Sequence, residues 1–296
     1  MASGYDLSVS TFSPDGKVFQ VEYACKAVGN GALSVAGIFK DGVVLGSENW
    51  VLSPLAAPRT RLFKLAAHAC AIVTGSLPDG KNLIDHCREE CAQYQRVWGV
   101  PIPGSILADR VGVYVHGFTA VWSTRPVGAS LMIAVHEQRQ RQPFVGAGAA
   151  VMATTDKAVD QHGILAKEPE QADWCLWLID PTGAAYKYRG NCQGKGAAGA
   201  KTDLENIDMP NMTVRQGVQE FAKLLHKHHE DVRLPIPSSP LAVHEYMLYG
   251  LCVNSREKSM VLEMMVLQDG KPARVETSQL AEAEAAAKAW LAEEAA

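Results

Sequence analysis

The sequence lacks the features that mark nucleic-acid-binding, membrane and secreted proteins. Its 28 Lys and Arg are outnumbered by 32 Asp and Glu, and the formal net charge is -4, so it has no basic excess of the kind that nucleic-acid-binding domains carry. No apolar run approaches the roughly 20 residues that a membrane-spanning helix needs. The segment Met1–Asp6 has neither the basic start nor the apolar stretch of a signal peptide. We therefore expect a soluble protein of the cytoplasm and nucleus, with no nucleic-acid or membrane partner.

Familiar catalytic signatures are missing as well. The sequence contains no Gly-x-Ser-x-Gly nucleophile motif and no His-Glu-x-x-His zinc motif. Its cysteines are odd in number and scattered through apolar segments, which predicts reduced, buried thiols. They are Cys25, Cys70, Cys87, Cys91, Cys175, Cys192 and Cys252. The residues by themselves predict no catalytic group and no cofactor.

One segment resembles a phosphate-binding loop. Gly75–Asn82 (GSLPDGKN) has nearly the right glycine and lysine spacing and lies between a predicted strand and a predicted helix. However, Asn82 stands where Ser or Thr would bind magnesium, and Pro78 has no backbone N–H to offer a phosphate. A turn that leads into a helix explains these residues as well, so a nucleotide-binding protein is only an alternative.

Two groups of side chains could be interpreted as metal ligands. His86, Cys87 and Cys91 have helical spacing, but both cysteines belong to an apolar helix face, and zinc sites usually need four ligands. The second group ends a helix, where imidazoles commonly contact the last carbonyls. It consists of His226, His228, His229 and Glu230. Core packing and helix termination explain both groups, and we predict no metal site.

Hydrophobic periodicity predicts strands and helices in blocks. Predicted strands cover Leu33–Phe39, Val43–Leu45, Ala69–Thr74, Ala129–Val135, Trp174–Ile179, Ala184–Tyr188, Met247–Val253 and Met260–Val266. Predicted helices begin at Val18, cover Leu83–Trp98, Leu107–Trp122 and Ala197–Ile207, and run from an N-cap at Thr213 to about Glu230. Hairpins joined by turns, with helices in pairs between them, indicate an α+β layered sandwich and not a doubly wound parallel sheet.

Periodicity and composition also predict the domain organisation. Residues 1–17 lack any periodic pattern and predict an extended arm, residues 18–276 form one domain, and residues 277–296 are rich enough in Ala and Glu to predict an autonomous C-terminal helix. Within the domain, Glu137–Asp173 joins two strands through about 37 residues, far beyond ordinary connections. We predict that this segment is a surface insertion.

The segment Gly4–Ala24 (GYDLSVSTFSPDGKVFQVEYA) closely resembles the N-terminal signature of proteasome alpha subunits. Tyr5-Asp6-Leu7-Ser8 is most similar to the alpha type 3 kind, which is alpha-7 by ring position. Further resemblance occurs at Lys40–Val44, at Leu107–Val111 with Tyr114–His116, at Arg125-Pro126 and at Ile179–Gly183.

This resemblance implies a four-layer αββα sandwich of two antiparallel sheets, the fold of the N-terminal nucleophile hydrolase superfamily. It implies the other six alpha subunits and the beta ring of the 20S core as partners, and activators or the regulatory particle as docking partners. The implied process is ubiquitin-dependent protein degradation.

The same comparison implies that the chain is not catalytic. When the sequence is aligned on the Lys40-Asp41-Gly42 hairpin, Ala32 takes the position of the nucleophilic threonine of active subunits. Glu48 stands where the catalytic aspartate would be, and Arg61 stands roughly at the lysine, although a guanidinium is a poor substitute in proton transfer. The alternative is an active N-terminal nucleophile hydrolase, which would need an exposed Thr, Ser or Cys.

The resemblance assigns other roles to the N-terminal arm. Gly4–Ser13 would be a gate across the pore of the alpha ring, and four residues would switch it. These gate residues are Tyr5, Asp6, Pro14 and Tyr23. Leu7 replaces the Arg of most alpha subunits, which puts the Asp–Arg contact of those subunits in doubt. Arg61 would lie in the pocket that receives an activator's C-terminal carboxylate in a forked pair, and the alternative for Arg61 is a solvated surface charge.

Overall fold

The computed structural model describes residues 8–50, 55, 59–137, 174–229 and 260–294. The helices are α1 (Phe19–Gly29), α2 (Leu77–Trp98), α3 (Gly104–Ala120), α4 (Ala197–Glu205), α5 (Val214–Lys227) and α6 (Thr277–Glu294), with a 3-10 turn at Met209–Asn211. The strands are β1 (Ser34–Phe39), β2 (Gly42–Trp50), β3 (Leu62–Ala66), β4 (Ala69–Gly75), β5 (Ala129–His136), β6 (Trp174–Ile179), β7 (Ala185–Tyr188), β8 (Gly190–Gln193), β9 (Met260–Gln268) and β10 (Lys271–Arg274). No helix in these ranges is both long and apolar enough to cross a lipid bilayer.

The strands form two antiparallel sheets. The first sheet has the order β10-β9-β2-β1-β8, and the second has the order β3-β4-β5-β6-β7. The Asp-Gly hairpin predicted from the sequence joins β1 to β2, with Phe39 paired to Gly42. Gly42 has to be glycine here, because a Cβ would lie only 2.5 Å from the Leu267 carbonyl oxygen on β9.

Three apolar layers hold the sheets and helices together. One lies between the second sheet and the helices α2 and α3, and contains Leu83, Ile84 and Leu107. Another lies between the first sheet and the helices α4, α5 and α6, and contains Phe39 and Phe221. The third lies between the two sheets. The layers therefore stack helix–sheet–sheet–helix, which confirms the predicted αββα sandwich.

The N-terminus of α5 has the N-cap that the sequence predicted at Thr213. The Thr213 hydroxyl accepts a hydrogen bond from the Gln216 N–H, and the Gln216 side chain accepts one from the Thr213 N–H. This reciprocal capping box satisfies two backbone donors that the helix cannot. In addition, the Asp41 carboxylate accepts a hydrogen bond from the Val214 N–H at 2.7 Å, which ties the start of α5 to the β1–β2 hairpin.

Some elements differ from the prediction. Three short strands, β3, β8 and β10, were not predicted, and β2 extends to Trp50 instead of ending at Leu45. Helix α4 ends at Glu205, before the predicted Ile207. The expectation of an autonomous C-terminal helix is wrong, because the small side chains of Ala283 and Ala287 let α6 pack closely on the core beside α5.

Other predictions fall outside the described residues. They concern the strand Met247–Val253, the gate residues Tyr5 and Asp6, and residues 138–173 of the insertion. The first residue of the insertion, Glu137, is described, and its Oε1 accepts a hydrogen bond from the Gly104 N–H at 3.0 Å, at the start of α3. The division into arm, domain, insertion and C-terminal helix stays a prediction.

Candidate functional site

The candidate site lies at the end of the sandwich where β1 begins and β2 ends. Ala32 lies two residues before the first residue of β1, and it is only 1% exposed. An alanine methyl group has no oxygen that could attack a peptide bond. The residue at the position of the nucleophile is therefore buried and chemically inert.

The chain that precedes Ala32 also covers this position. Gly31 packs against the backbone of Gly75, so closely that a Cβ at residue 31 would lie 2.6 Å from the Gly75 nitrogen. The Lys195 N–H donates a hydrogen bond to the Gly31 carbonyl oxygen at 2.9 Å. The nitrogen of Ala32 is thus part of a peptide bond in a tightly packed segment.

Glu48 lies beside this segment, and each of its carboxylate oxygens has a hydrogen-bond partner. The side chain is 3% exposed. Its Oε1 accepts a hydrogen bond from the Leu33 N–H at 2.8 Å, and its Oε2 lies 2.9 Å from His229 Nδ1. Both oxygens have protein partners, so this carboxylate holds the start of β1 to the segment that follows α5.

Arg61 lies at the same end, just before β3. The side chain is half-buried, and Nη1 donates a hydrogen bond to the Gly75 carbonyl oxygen at 3.0 Å. Burial lowers the pKa of the guanidinium, while the negative charges of Glu48 and Glu263 raise it. A purely solvated surface charge does not describe this residue. Whether the guanidinium receives a carboxylate from a partner stays a prediction.

The described gate residues, Pro14 and Tyr23, lie on an exposed turn and an exposed helix face. Pro14 follows Ser13, whose N–H donates to the Lys17 carbonyl oxygen at 2.8 Å and whose carbonyl accepts from the Gly16 N–H at 2.8 Å. Tyr23 lies on α1, with Lys26 Nζ 5.4 Å from the centre of its ring. Their joint action as a switch with Tyr5 and Asp6 stays a prediction.

The segment that resembles a phosphate-binding loop, Gly75–Asn82, is already in contact with other parts of the protein. Asp79 accepts two hydrogen bonds from the Arg125 guanidinium, each 2.7 Å long, and one from the Gly128 N–H at 3.0 Å. A Cβ at Gly80 would lie 2.1 Å from a methyl of Val73, so α2 sits directly on β4. A carboxylate at the centre of the loop would repel a phosphate.

Two groups of residues could be interpreted as metal ligands in the sequence, and we predicted no metal site at either. His86 stacks on Tyr114 at 3.8 Å between ring centres, while Cys87 and Cys91 are buried in the layer beneath α2. Burial raises the pKa of the Cys91 thiol to about 11. His228 Nε2 lies 2.6 Å from the Asp203 carboxylate. Within the described part of the chain, no three His, Cys, Asp or Glu side chains are grouped as metal ligands.

Sequence reasoning missed the partner of Glu48. His229 was considered only as a helix-terminal imidazole, and 181 residues separate it from Glu48. No local pattern links two positions so far apart. A buried carboxylate needs a partner, but the predicted strand ended at Leu45, so the sequence did not indicate that Glu48 is buried.

Comparison with known proteins gives a family match and several relatives of this chain. The family model described as proteasome subunit matches residues 8–147. Proteasome subunit alpha type-3 of Spinacia oleracea is 31% identical over 92% of this chain and 94% of its own length. The protein of the same name from Oryza sativa is 35% identical over 79% of this chain and 81% of its own length. The probable proteasome subunit alpha type-7 of Saccharomyces cerevisiae is 34% identical over 78% of this chain and 70% of its own length.

Proposed function

Because the chain belongs to the proteasome alpha-subunit family, we propose that it is a non-catalytic, ring-forming subunit of the 20S proteasome core. In this role it assembles with the other six alpha subunits and with the beta ring. Its N-terminal arm takes part in closing the pore, and the particle degrades proteins in the ubiquitin-dependent pathway. The relatives from Spinacia oleracea and Oryza sativa carry the name alpha type-3.

The observation that carries the non-catalytic assignment is the buried Ala32. Three features support it independently: the side chain has no nucleophilic atom, the preceding chain is packed over the position, and Glu48 has no free oxygen. The missing nucleophile is decisive, because the chemistry of an N-terminal threonine needs a hydroxyl oxygen. The alternative of an active hydrolase would need a different residue at this position.

The proposal includes a docking role for Arg61. A half-buried guanidinium loses less entropy on binding than a mobile one, and it can hold a carboxylate in a forked pair. One nitrogen already donates to the Gly75 carbonyl, which fixes the side chain in place. We propose that this fixed cation forms one wall of the pocket for an activator's C-terminus, the other wall being a neighbouring subunit.

We also propose the cytoplasm and the nucleus as the compartments of this protein. The cysteines in the described part of the chain are free, and those in the cores are buried. Buried, unpaired thiols suit a reducing compartment.

The test of the assembly role is native mass spectrometry of particles purified through a tag on this chain. We expect a complex that contains six other alpha subunits together with the beta subunits. A free chain, or a complex without beta subunits, would contradict the proposal.

The test of the catalytic assignment uses an Ala32→Thr variant in the assembled particle. We expect no covalent labelling of this chain by a threonine-directed inhibitor, because the new hydroxyl remains buried behind an intact peptide bond. The beta subunits in the same sample serve as the positive control. Labelling of the variant chain would mean that burial and the preceding segment do not block the site.

A further inference from the structure

The space between the two sheets changes from apolar to polar at the end that holds Ala32. Its apolar part includes one residue from each of five strands: Ala36, Leu45, Ile72, Met132 and Met265. Side chains two residues apart on a strand point to the same face. Two residues further along each strand, toward Ala32, that face carries Ser34, Ser47, Thr74, Ser130 and Glu263. With Asn49, two residues beyond Ser47, these six side chains are called the polar layer.

Strand register places the polar layer in two facing rows. In the first sheet, Ser47 pairs with Ser34 on one side and with Glu263 on the other. In the second sheet, Thr74 pairs with Ser130. The Gly75 carbonyl, next to Thr74, accepts the hydrogen bond from Arg61. Gly31, just before the first sheet begins at β1, packs against the Gly75 backbone, so the two rows lie at the same end of the sandwich.

The first row satisfies part of its own hydrogen bonding. The hydroxyl oxygens of Ser34 and Ser47 lie 3.3 Å apart, and both hydroxyls are also within reach of backbone carbonyls around Ala32. These two side chains therefore need no further partner. They provide the comparison for the rest of the layer.

Each of the remaining members has a buried polar atom without a hydrogen-bond partner in the described protein. These atoms are Thr74 Oγ1, Ser130 Oγ, Asn49 Nδ2 and Glu263 Oε2. Thr74, Ser130 and Asn49 are 1%, 2% and 4% exposed. Nearly all buried polar groups in proteins have a partner, either protein or ordered water. Four unpartnered groups on one continuous surface call for a ligand that they share.

We propose that the polar layer binds a cluster of ordered water molecules that bridges the two sheets. The groups to be satisfied include hydroxyls, an amide donor and a carboxylate acceptor, and water is the small ligand that both donates and accepts. The amide N–H groups of Asn49 and the charge of Arg61 disfavour a cation, while the Glu263 carboxylate disfavours an anion. A buried water typically makes about three hydrogen bonds, and the waters of a cluster also bond to one another, so four protein groups can hold more than one water.

The test is a structure of the assembled particle, with this chain in it, at a resolution that shows ordered water. We expect density peaks at about 2.7–3.2 Å from Thr74 Oγ1 and from Ser130 Oγ, with at least one peak shared with the opposite sheet. Side chains that hydrogen-bond directly across the layer, with no density between them, would overturn the proposal.

Two variants sharpen this experiment. Ser130→Ala should displace or shift the peak that the Ser130 hydroxyl holds. The matched control Ser34→Ala should leave the peaks in place, because the Ser34 hydroxyl already has protein partners. If Ser130→Ala fails to assemble, Thr74→Val removes one hydroxyl at nearly constant volume and serves the same purpose.

A rubidium chloride soak separates water from a monovalent cation. Rubidium scatters anomalously, so a bound cation would give an anomalous peak within the polar layer. We expect no such peak. An anomalous peak there would replace the water cluster by a cation site.

Discussion

Glu48 shows how hydrogen bonds can stabilise a buried carboxylate. A buried carboxylate is costly unless hydrogen bonds compensate for the lost hydration. Glu48 obtains that compensation from the Leu33 N–H and from His229, which belong to opposite ends of the domain sequence. The side chain therefore fastens the first strand to the segment after α5 at the point where an active relative would need a catalytic acid.

This role predicts a graded response to substitution at Glu48. Glu48→Ala leaves the buried Leu33 N–H without an acceptor and should destabilise the chain by about 1–3 kcal/mol. Glu48→Gln retains a carbonyl oxygen for Leu33 and should cost less than half as much. The measurement is the urea midpoint of unfolding for the three chains. Equal losses for both variants would show that the hydrogen bond to Leu33 is not what matters.

At the residue scale, the sequence predicted which residues occupy the candidate site, but it did not predict which residues they contact. Alignment on the hairpin placed Ala32, Glu48 and Arg61 at one end of the fold, and the structure brings them together. The bond to His229 and the burial of Arg61 depend on how distant strands and helices meet. Neither is encoded in spacing along the chain, so neither could be predicted.

Among the elements, the start of α2 depends on a contact with the loop before β5. The Asp79 carboxylate accepts two hydrogen bonds from Arg125 and one from the Gly128 N–H. Burial alone would raise the pKa of Asp79, but these hydrogen bonds and the positive charge of Arg125 together lower it. The contact holds the helix N-terminus, where a negative charge is favourable, against the second sheet.

A lowered pKa makes this contact sensitive to acid. The ionised form is favoured in the folded state, so the stabilisation is present above the ordinary Asp pKa of about 3.9 and is lost as pH falls below it. Asp79→Asn should cost about 1–2 kcal/mol at neutral pH, a modest figure because Arg125 is largely exposed. The check is thermal unfolding at several pH values. We expect the difference between Asp79→Asn and wild type to shrink below about pH 4, and a constant difference would contradict the assignment.

The C-terminal helix offers a matched pair of alanines. Ala287 is fully buried against the core, whereas the neighbouring Ala286 is exposed. Ala287→Leu should force the helix away from α5 and cost about 1–3 kcal/mol by overpacking. Ala286→Leu has the same helix propensity change and should be nearly neutral. Thermal unfolding of the two variants tests this, and equal effects would mean that α6 does not pack as described.

The strands that sequence analysis missed share one property. β3, β8 and β10 are all edge strands of their sheets. An edge strand is short and only partly covered, and these three carry Lys64, Gly190, Pro272 and other residues that weaken a strand pattern. The central strands β4 and β5 are buried on both faces, and their continuous apolar runs made them easy to predict.

At the scale of the whole molecule, the described part of the N-terminal arm is only partly buried by this chain. Ser13 is buried in a turn closed onto Lys17, and Lys17 Nζ lies 3.2 Å from Glu22 Oε1 on α1. Phe12, one residue earlier, is 68% exposed. The turn therefore anchors the base of the arm, while a large apolar side chain before it is available to a neighbouring subunit.

This arrangement makes the arm a candidate for switching in the assembled ring. Ordering a residue costs about 1–2 kcal/mol of conformational entropy, and for the arm that cost has to be met by contacts with neighbouring subunits. Small changes in those contacts can then release it. Deleting Ala2–Thr11 should raise peptide hydrolysis by the particle in the absence of activator, and the hydrolytic chemistry in the beta ring should stay the same.

The measurement compares peptide turnover by intact and truncated particles that have been matched for assembly by native mass spectrometry. Labelling of the beta subunits by a threonine-directed inhibitor controls for the number of working sites. A second control replaces Ala2–Thr11 by a Gly/Ser segment of equal length, which should also raise turnover if specific contacts, and not mere bulk, close the pore. If turnover is unchanged after the deletion, the arm of this subunit does not obstruct the pore, and the neighbouring arms close it without help.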